Sequence, residues 1–270
     1  MNTLSVLDAL ILGVVEGITE YLPVSSTGHL LVVQRLLGLG QGADKIAADT
    51  YVVAIQVGAI LAVVALYRSR ITSMLNGVIG RDRDGRHVLT MLLASFLPAA
   101  VIGVSLGGTI KDRLFTPGPV VIAWILGGLL LLWWKPRAGT TALEQLTLRN
   151  AVIIGLAQSV ALWPGVSRSL VTIVAALLVG CTMVAALEYS FLLGLATLTA
   201  ATVLDLAKDG DVLFDTYGIL RPLIGVLAAF VTAILAVRWL VTYLARHPLS
   251  IFGWYRLAAA AVTLAVWSSL

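Results

Sequence analysis

Two pairs of apolar stretches in this 270-residue chain are too short to cross a bilayer helix by helix, and each pair is broken by a proline and a polar turn. Residues 5–15 pair with 28–38 around Pro23-Val24-Ser25-Ser26, and 150–163 pair with 170–180 around Pro164-Gly165-Val166-Ser167. Proline lacks an amide proton and disfavours helix in the residue before it, so the first helix of each pair is predicted to stop there. A short helix, a turn and a short helix read as a hairpin that enters a membrane and returns on the same side. Irregular backbone survives at that depth only where it is buried in protein or lines a cavity. The other apolar runs, at 51–67, 88–107, 119–134, 184–206, 219–244 and 251–268, approach the roughly 20 residues that a spanning helix needs.

Composition agrees. With 59% hydrophobic and 12% charged residues and a mean hydropathy of +0.99, the chain is too apolar for a water-soluble globule of this length. The net charge of +4 sits in short loops between apolar runs, which points to orientation in a bilayer rather than to nucleic acid. The single cysteine, Cys181, forms no intrachain disulfide and reads as a small buried hydrophobe. Residues 1–15 contain Asp8 and no Lys or Arg, which argues against a cleaved signal peptide.

The two broken pairs resemble one another. At an offset of 142 residues, Gly13 falls on Gly155, Glu16 on Gln158, Val24 on Val166 and Ser25 on Ser167. Three long segments follow each hairpin, so the chain reads as one membrane domain of two units, about 1–140 and 145–270. Three crossings per unit turn the second upside down relative to the first. The fold class expected is an all-α polytopic membrane protein of about ten helices, with six crossings, two re-entrant hairpins and an inverted-topology repeat. Short cytoplasmic loops collect Lys and Arg. The 68–87 loop carries Arg68, Arg70, Arg81, Arg83 and Arg86; the next on that side carries Lys135, Arg137 and Arg149; the third carries Arg246, with Arg238 close by. The opposite loops hold Arg35 and Lys45, then Lys111 and Arg113, then Lys208 and Arg221 among Asp205, Asp209, Asp211 and Asp215. The first set is therefore assigned to the cytoplasm, and the hairpin tips meet near the midplane.

Chemistry concentrates at the tips. The stretch Glu16-Gly-Ile-Thr-Glu20-Tyr-Leu-Pro-Val-Ser25-Ser26-Thr27-Gly-His29 puts two carboxylates, hydroxyls and an imidazole into apolar surroundings. There an acidic side chain costs about 2.5–3.5 kcal/mol even on insertion scales, which marks function. Glu16 and Glu20 are one helical turn apart, so either a divalent metal bridges them or one acts as a base, the plainer alternative being a structural ion pair or ligands of a coupled ion. Ser25, Ser26 and Thr27 cap the helix that restarts, and a helix N-terminus inside a cavity offers free amides to a phosphate. Ser167, Arg168 and Ser169 repeat the device and add a guanidinium suited to bidentate phosphate contact. Ser26 is a candidate nucleophile, and His29, three residues on, reaches the same cavity. Gln158, at the place equivalent to Glu16, orients a polar group or makes an interhelical hydrogen bond. Asp49 and Glu188 read as braces for the hairpins, the acidic segment Asp205 to Asp215 as a solvated turn, and Trp124, Trp133, Trp134, Trp239, Trp254 and Trp267 as an interfacial belt. No nucleotide-binding lysine loop, dinucleotide fingerprint or zinc spacing is present.

The motif from Glu16 to His29, followed by Ala161-Leu-Trp-Pro-Gly-Val-Ser-Arg168-Ser169, closely resembles the undecaprenyl-diphosphate phosphatases, the bacitracin-resistance phosphatases of the bacterial cytoplasmic membrane. The resemblance runs over essentially the whole length. It implies removal of the terminal phosphate of undecaprenyl diphosphate at the outer face, recycling the carrier lipid for peptidoglycan synthesis, with Mg²⁺ or Ca²⁺ supporting activity. It implies undecaprenyl diphosphate and membrane lipid as partners, no nucleic acid, and admits a homodimer. Carried over, Glu16 and Glu20 are the acidic, metal-holding pair, Ser26 and His29 the reactive pair, and Arg168 the phosphate holder. The sequence leaves open which of Ser26 and His29 attacks phosphorus. Two positions depart from the family's usual pattern: Leu170, where Gly usually follows Arg-Ser, and Ala196, where Pro often stands.

Inverted repeats with broken helices are also a transporter architecture, so a lipid-phosphate flippase or ion-coupled carrier is the rival reading. A scaffold that only sequesters prenyl diphosphate is the second. Either needs binding groups without a nucleophile, which release of inorganic phosphate separates from an enzyme.

Overall fold

A computed structural model describes residues 4–136 and 139–267 and, over them, an all-helical chain. Its α-helices are α1 (Val6–Thr19), α2 (Ser26–Leu36), α3 (Lys45–Ala54), α4 (Gln56–Leu66), α5 (Arg68–Val78), α6 (Arg83–Leu114), α7 (Pro117–Trp133), α8 (Leu148–Ser159), α9 (Arg168–Leu178), α10 (Met183–Tyr217), α11 (Leu220–Leu244) and α12 (Ser250–Trp267). Residues 1–3, Arg137 and the side chain of Lys111, which entered the sequence reading, lie outside the described residues.

Four helical stretches are long and apolar enough to cross a membrane: Lys45–Leu66, Arg83–Ile110, Met183–Tyr217 and Leu220–Leu244. Between 28% and 44% of their apolar windows is buried, so most of that surface faces outward, as in Val104, Val101, Leu97 and Leu235. A water-soluble fold does not leave so much apolar surface uncovered. The protein is a polytopic membrane protein. Helices α7 and α12, of 17 and 18 residues, fall just short of the usual spanning length and pack along each other.

The short helices form the two hairpins, α1 with α2 and α8 with α9, and the packing around them is reciprocal. Helix α1 lies along α11, and α8 lies along α6. Glycine makes both approaches close. A Cβ on Gly13 would stand 2.4 Å from the Gly225 carbonyl oxygen, and one on Gly155 would stand 2.4 Å from that of Ser95. Gly17 adds a second such contact on the face of Gly13, against Ala229 and Thr232. Small residues four apart let helix backbones approach in a membrane, where no hydrophobic driving force exists between them.

Several sequence expectations are corrected. The segment Asp205 to Asp215 is helical, because nothing breaks α10 before Gly218, whose φ is +67°. Leu206, Gly210, Leu213 and Tyr217 recur at helical spacing on its packed side, and Tyr217 meets Tyr51 edge-on. The 68–87 loop is mostly helix: α5 packs on the start of α6, which Asp82 caps by accepting the Gly85 amide. That bond, with the Ser73 hydroxyl, holds the Asp82 carboxyl below the usual range. Glu188 does not cap a hairpin; it accepts from Arg70 on α5 at 2.7 Å, and Arg70 also pairs with Glu144. Trp124 is no belt residue: it is 1% exposed and donates to the Val24 carbonyl at 2.9 Å.

Candidate active site

The two turns that follow the broken helices have one backbone design. Ser25 has φ +73° and Ser167 has φ +76°, the only non-glycine residues with positive φ among the described residues. Such conformations cost about 1–3 kcal/mol each and persist only where the surroundings enforce them. Each hydroxyl then caps the next helix. Ser25 Oγ accepts the Gly28 amide at 3.4 Å, and Ser167 Oγ accepts the Leu170 amide at 3.3 Å.

One residue that the sequence reading passed over holds both turns. Arg256, on α12, is fully buried. Its guanidinium donates to the carbonyls of Pro23 (3.2 Å) and Val166 (3.2 Å) through Nη1, and of Ala123 (2.8 Å) and Gly165 (2.8 Å) through Nη2. Nε reaches the Trp124 carbonyl at 3.4 Å. Pro23 and Gly165 are equivalent positions at the 142-residue offset, so one cation fixes the same carbonyl of each turn. Gly127 makes room for it, since a Cβ there would meet Nη2 at 2.4 Å. An arginine inside an apolar run was the available signal. Ser169 ties the turns directly, donating to the Leu22 carbonyl at 2.9 Å.

The side chains converge on one cavity of about 780 Å³. Glu20, Ser25, Ser26, Thr27, Gln158, Ser167 and Arg168 line its inner end. Ser26 donates a short hydrogen bond to Glu20 Oε2, and Arg168 Nη2 donates to Glu20 Oε1 at 2.7 Å. Arg168 also donates through Nη1 to the Ser190 carbonyl at 2.9 Å, lies over the Tyr21 ring, and keeps Nε buried without a partner. A hydroxyl, a carboxylate and a guanidinium from opposite hairpins thus form one connected group.

Three of the expected residues are not on the cavity wall. Ser169 is fully buried between Leu22 and Ser167. Both nitrogens of His29 are engaged elsewhere, Nδ1 with the Ser25 carbonyl at 2.7 Å and Nε2 with the Tyr255 hydroxyl at 2.8 Å. Its ring lies against Trp124 and Tyr255, where it supports the first turn from behind. Glu16 is fully buried and both its carboxylate oxygens lack a partner, although it feels the charges of Glu20 and Arg168. Unpaired carboxylate oxygens of this kind suit a hard divalent cation, which often binds one or two carboxylates and completes its shell with water and substrate phosphate. No group of three or more His, Cys, Asp or Glu side chains suited to a metal exists among the described residues, so an ion held here would need water or substrate oxygens for the rest of its shell.

A family model described as Bacitracin resistance protein BacA matches residues 9–262. The chain belongs to the BacA family. Among its relatives, the undecaprenyl-diphosphatase of Sorangium cellulosum is 45% identical over 264 residues, covering 95% of this chain and 85% of that protein. Undecaprenyl-diphosphatase 2 of Rhodospirillum rubrum is 44% identical over 275 residues, covering 100% and 98%. Undecaprenyl-diphosphatase 1 of Chromobacterium violaceum is 43% identical over 265 residues, covering 97% and 96%. Against the usual BacA pattern, Leu170 is absorbed without disturbing the second turn: its amide still caps onto Ser167 and its side chain is 2% exposed.

Proposed function

We propose that this BacA-family chain is an undecaprenyl-diphosphate phosphatase, hydrolysing the terminal phosphoanhydride to give undecaprenyl phosphate and inorganic phosphate. The activity returns the carrier lipid to peptidoglycan synthesis and accounts for bacitracin resistance. One observation carries the chemistry: the Ser26 hydroxyl donates to Glu20, and Arg168 from the other hairpin holds Glu20's second oxygen at the cavity's inner end.

In this reading Ser26 is the nucleophile and Glu20 its base, the usual pairing of a weak nucleophile with an adjacent proton acceptor. Ser26 Oγ attacks the terminal phosphorus and passes its proton to Glu20, while the bond to the prenyl monophosphate breaks. Arg168 offsets charge on the phosphoryl oxygens, with Nε free to donate from the start. His29 holds the Ser25 carbonyl rather than attacking phosphorus. Glu16, with Glu20, would hold a Mg²⁺ or Ca²⁺ ion, which neutralises phosphate charge when bound.

The cavity runs from the turns between α6 and α10 to Phe115, Asp205 and Lys208. These residues lie on the side that the loop charges assign to the outside, so the site faces outward from the bacterial cytoplasmic membrane. The walls beyond the turns are mostly apolar, among them Phe96, Ala99, Leu198 and Leu204, which suits a prenyl chain.

Purified protein in detergent is expected to release inorganic phosphate from a long-chain prenyl diphosphate with Mg²⁺ or Ca²⁺ present. Release is expected to stop on chelation and in Ser26→Ala. Wild-type-like release by Ser26→Ala removes Ser26 as nucleophile; no release by the wild-type chain removes the enzyme reading.

A further inference from the structure

Gln158 stands in the last turn of α8 before the second hairpin's turn, at the position Glu16 holds before the first. It is 3% exposed, yet neither Nε2 nor Oε1 has a hydrogen-bond partner. Buried amides are rarely left so, because an unpaired donor and acceptor forfeit their bonds to water with nothing in exchange. The same side chain lines the cavity with Glu20, Ser26 and Arg168. Its neighbours there, Ala161 and Leu162, offer only apolar side chains.

A carboxamide donates and accepts at once, unlike the carboxylate of Glu16. The reaction proposed above has one moment that needs both functions. After the first transfer, Ser26 carries the phosphoryl group and a water must be held in line with phosphorus. We infer that Gln158 is a catalytic residue for that second half: Oε1 accepts from the attacking water and Nε2 donates to a phosphoryl oxygen. Glutamine serves as such a water-orienting residue in some other phosphoryl-transfer enzymes. The water oxygen bonds phosphorus, the bond from phosphorus to Ser26 Oγ breaks, and Oγ recovers the proton that Glu20 holds. Glu20 then takes the water's proton and passes it to the departing inorganic phosphate, so it is a carboxylate again for the next turnover. The inference rests on Ser26 as nucleophile, and the test separates the two.

The test uses the full chain in detergent and a prenyl diphosphate radiolabelled at its terminal phosphate, followed by rapid acid quench. In Gln158→Leu, label is expected to reach the protein within about threefold of the wild-type rate and to accumulate towards one per chain. Phosphate release is expected to fall about a hundredfold, the scale of losing one positioned polar group. The melting temperature is expected to hold or rise, because an apolar side chain of similar size replaces an unpaired amide. Gln158→Glu keeps the acceptor and loses the donor, and is expected to accumulate label with about a tenfold loss of release.

Turnover at the wild-type rate in Gln158→Leu overturns the inference. So does a loss of turnover with no accumulated label and a lowered melting temperature, which would make Gln158 a packing residue. Ser26→Ala in the Gln158→Leu background is expected to abolish labelling. Label persisting there on another residue overturns Ser26 as nucleophile while leaving the water-orienting role of Gln158 in place.

Discussion

The first and second hairpins share a frame and divide the chemistry. Ser25 and Ser167 adopt the same rare φ, cap the same position and lie next to equivalent carbonyls bound by Arg256. One residue further, the first residue of α2 is Ser26 and the first residue of α9 is Arg168. Equivalent positions therefore carry the proposed nucleophile and the cation that shares Glu20 with it. The preceding turn shows the same divergence, with Glu16 in one hairpin and Gln158 in the other. A repeated backbone fixes where groups meet, and the side chains then specialise. Neither hairpin is an active site alone.

The largest effect is expected from severing that division of labour. Glu20→Gln and Arg168→Ala should each lower phosphate release about a thousandfold, since each removes a group that touches the reacting atoms or the base. Arg168→Ala also leaves Glu20 buried without its ion-pair partner, so its melting temperature should fall as well. Comparison with Glu20→Gln, which keeps shape, separates chemistry from folding. Release within tenfold of wild type in either variant breaks the comparison.

Gly194→Ala comes next. A Cβ there would stand 2.0 Å from Arg168 Nη1, so the guanidinium must shift from the place where it donates to Glu20 and Ser190. A displacement of about 1 Å can cost a hundredfold in rate, and that loss is expected in release assays with Ser26 still present. Gly127→Ala pushes Arg256 instead and should loosen both turns together, with about a tenfold loss and a lower melting temperature. If only one hairpin's contacts respond, read by hydrogen exchange of the two turns, Arg256 does not couple them.

Leu170→Gly should change the rate least. Position 170 corresponds to Gly28, where a Cβ would meet the Trp124 ring at 2.7 Å, whereas the second hairpin has room for a buried leucine. Removing that side chain should cost about 2–5 kcal/mol of stability while leaving turnover within about threefold.

Much of this was legible in the sequence, because prolines and serines at Pro23 to Ser26 and Pro164 to Ser167 act locally, on their own turns. The pairing of Glu20 with Arg168 was also accessible, since buried charges need partners and few were on offer. What was not legible depends on distant contacts. Asp205 to Asp215 is acidic enough to pass for a turn, yet no breaker precedes Gly218 and the packing of Leu213 and Tyr217 holds the segment as helix. His29 sits one turn from Ser25, and sequence gave no sign that Tyr255, 226 residues away, takes its second nitrogen. Trp124 reads from the sequence as an interfacial belt residue and Arg256 as no more than an arginine in an apolar run; the turn carbonyls they bind lie far away along the chain.

Arg256 also sets an order of assembly. It belongs to α12, so while the ribosome is still making that helix both turns exist without the cation that gathers their carbonyls. The two turns therefore share that cation only once α12 has docked beside elements made long before it.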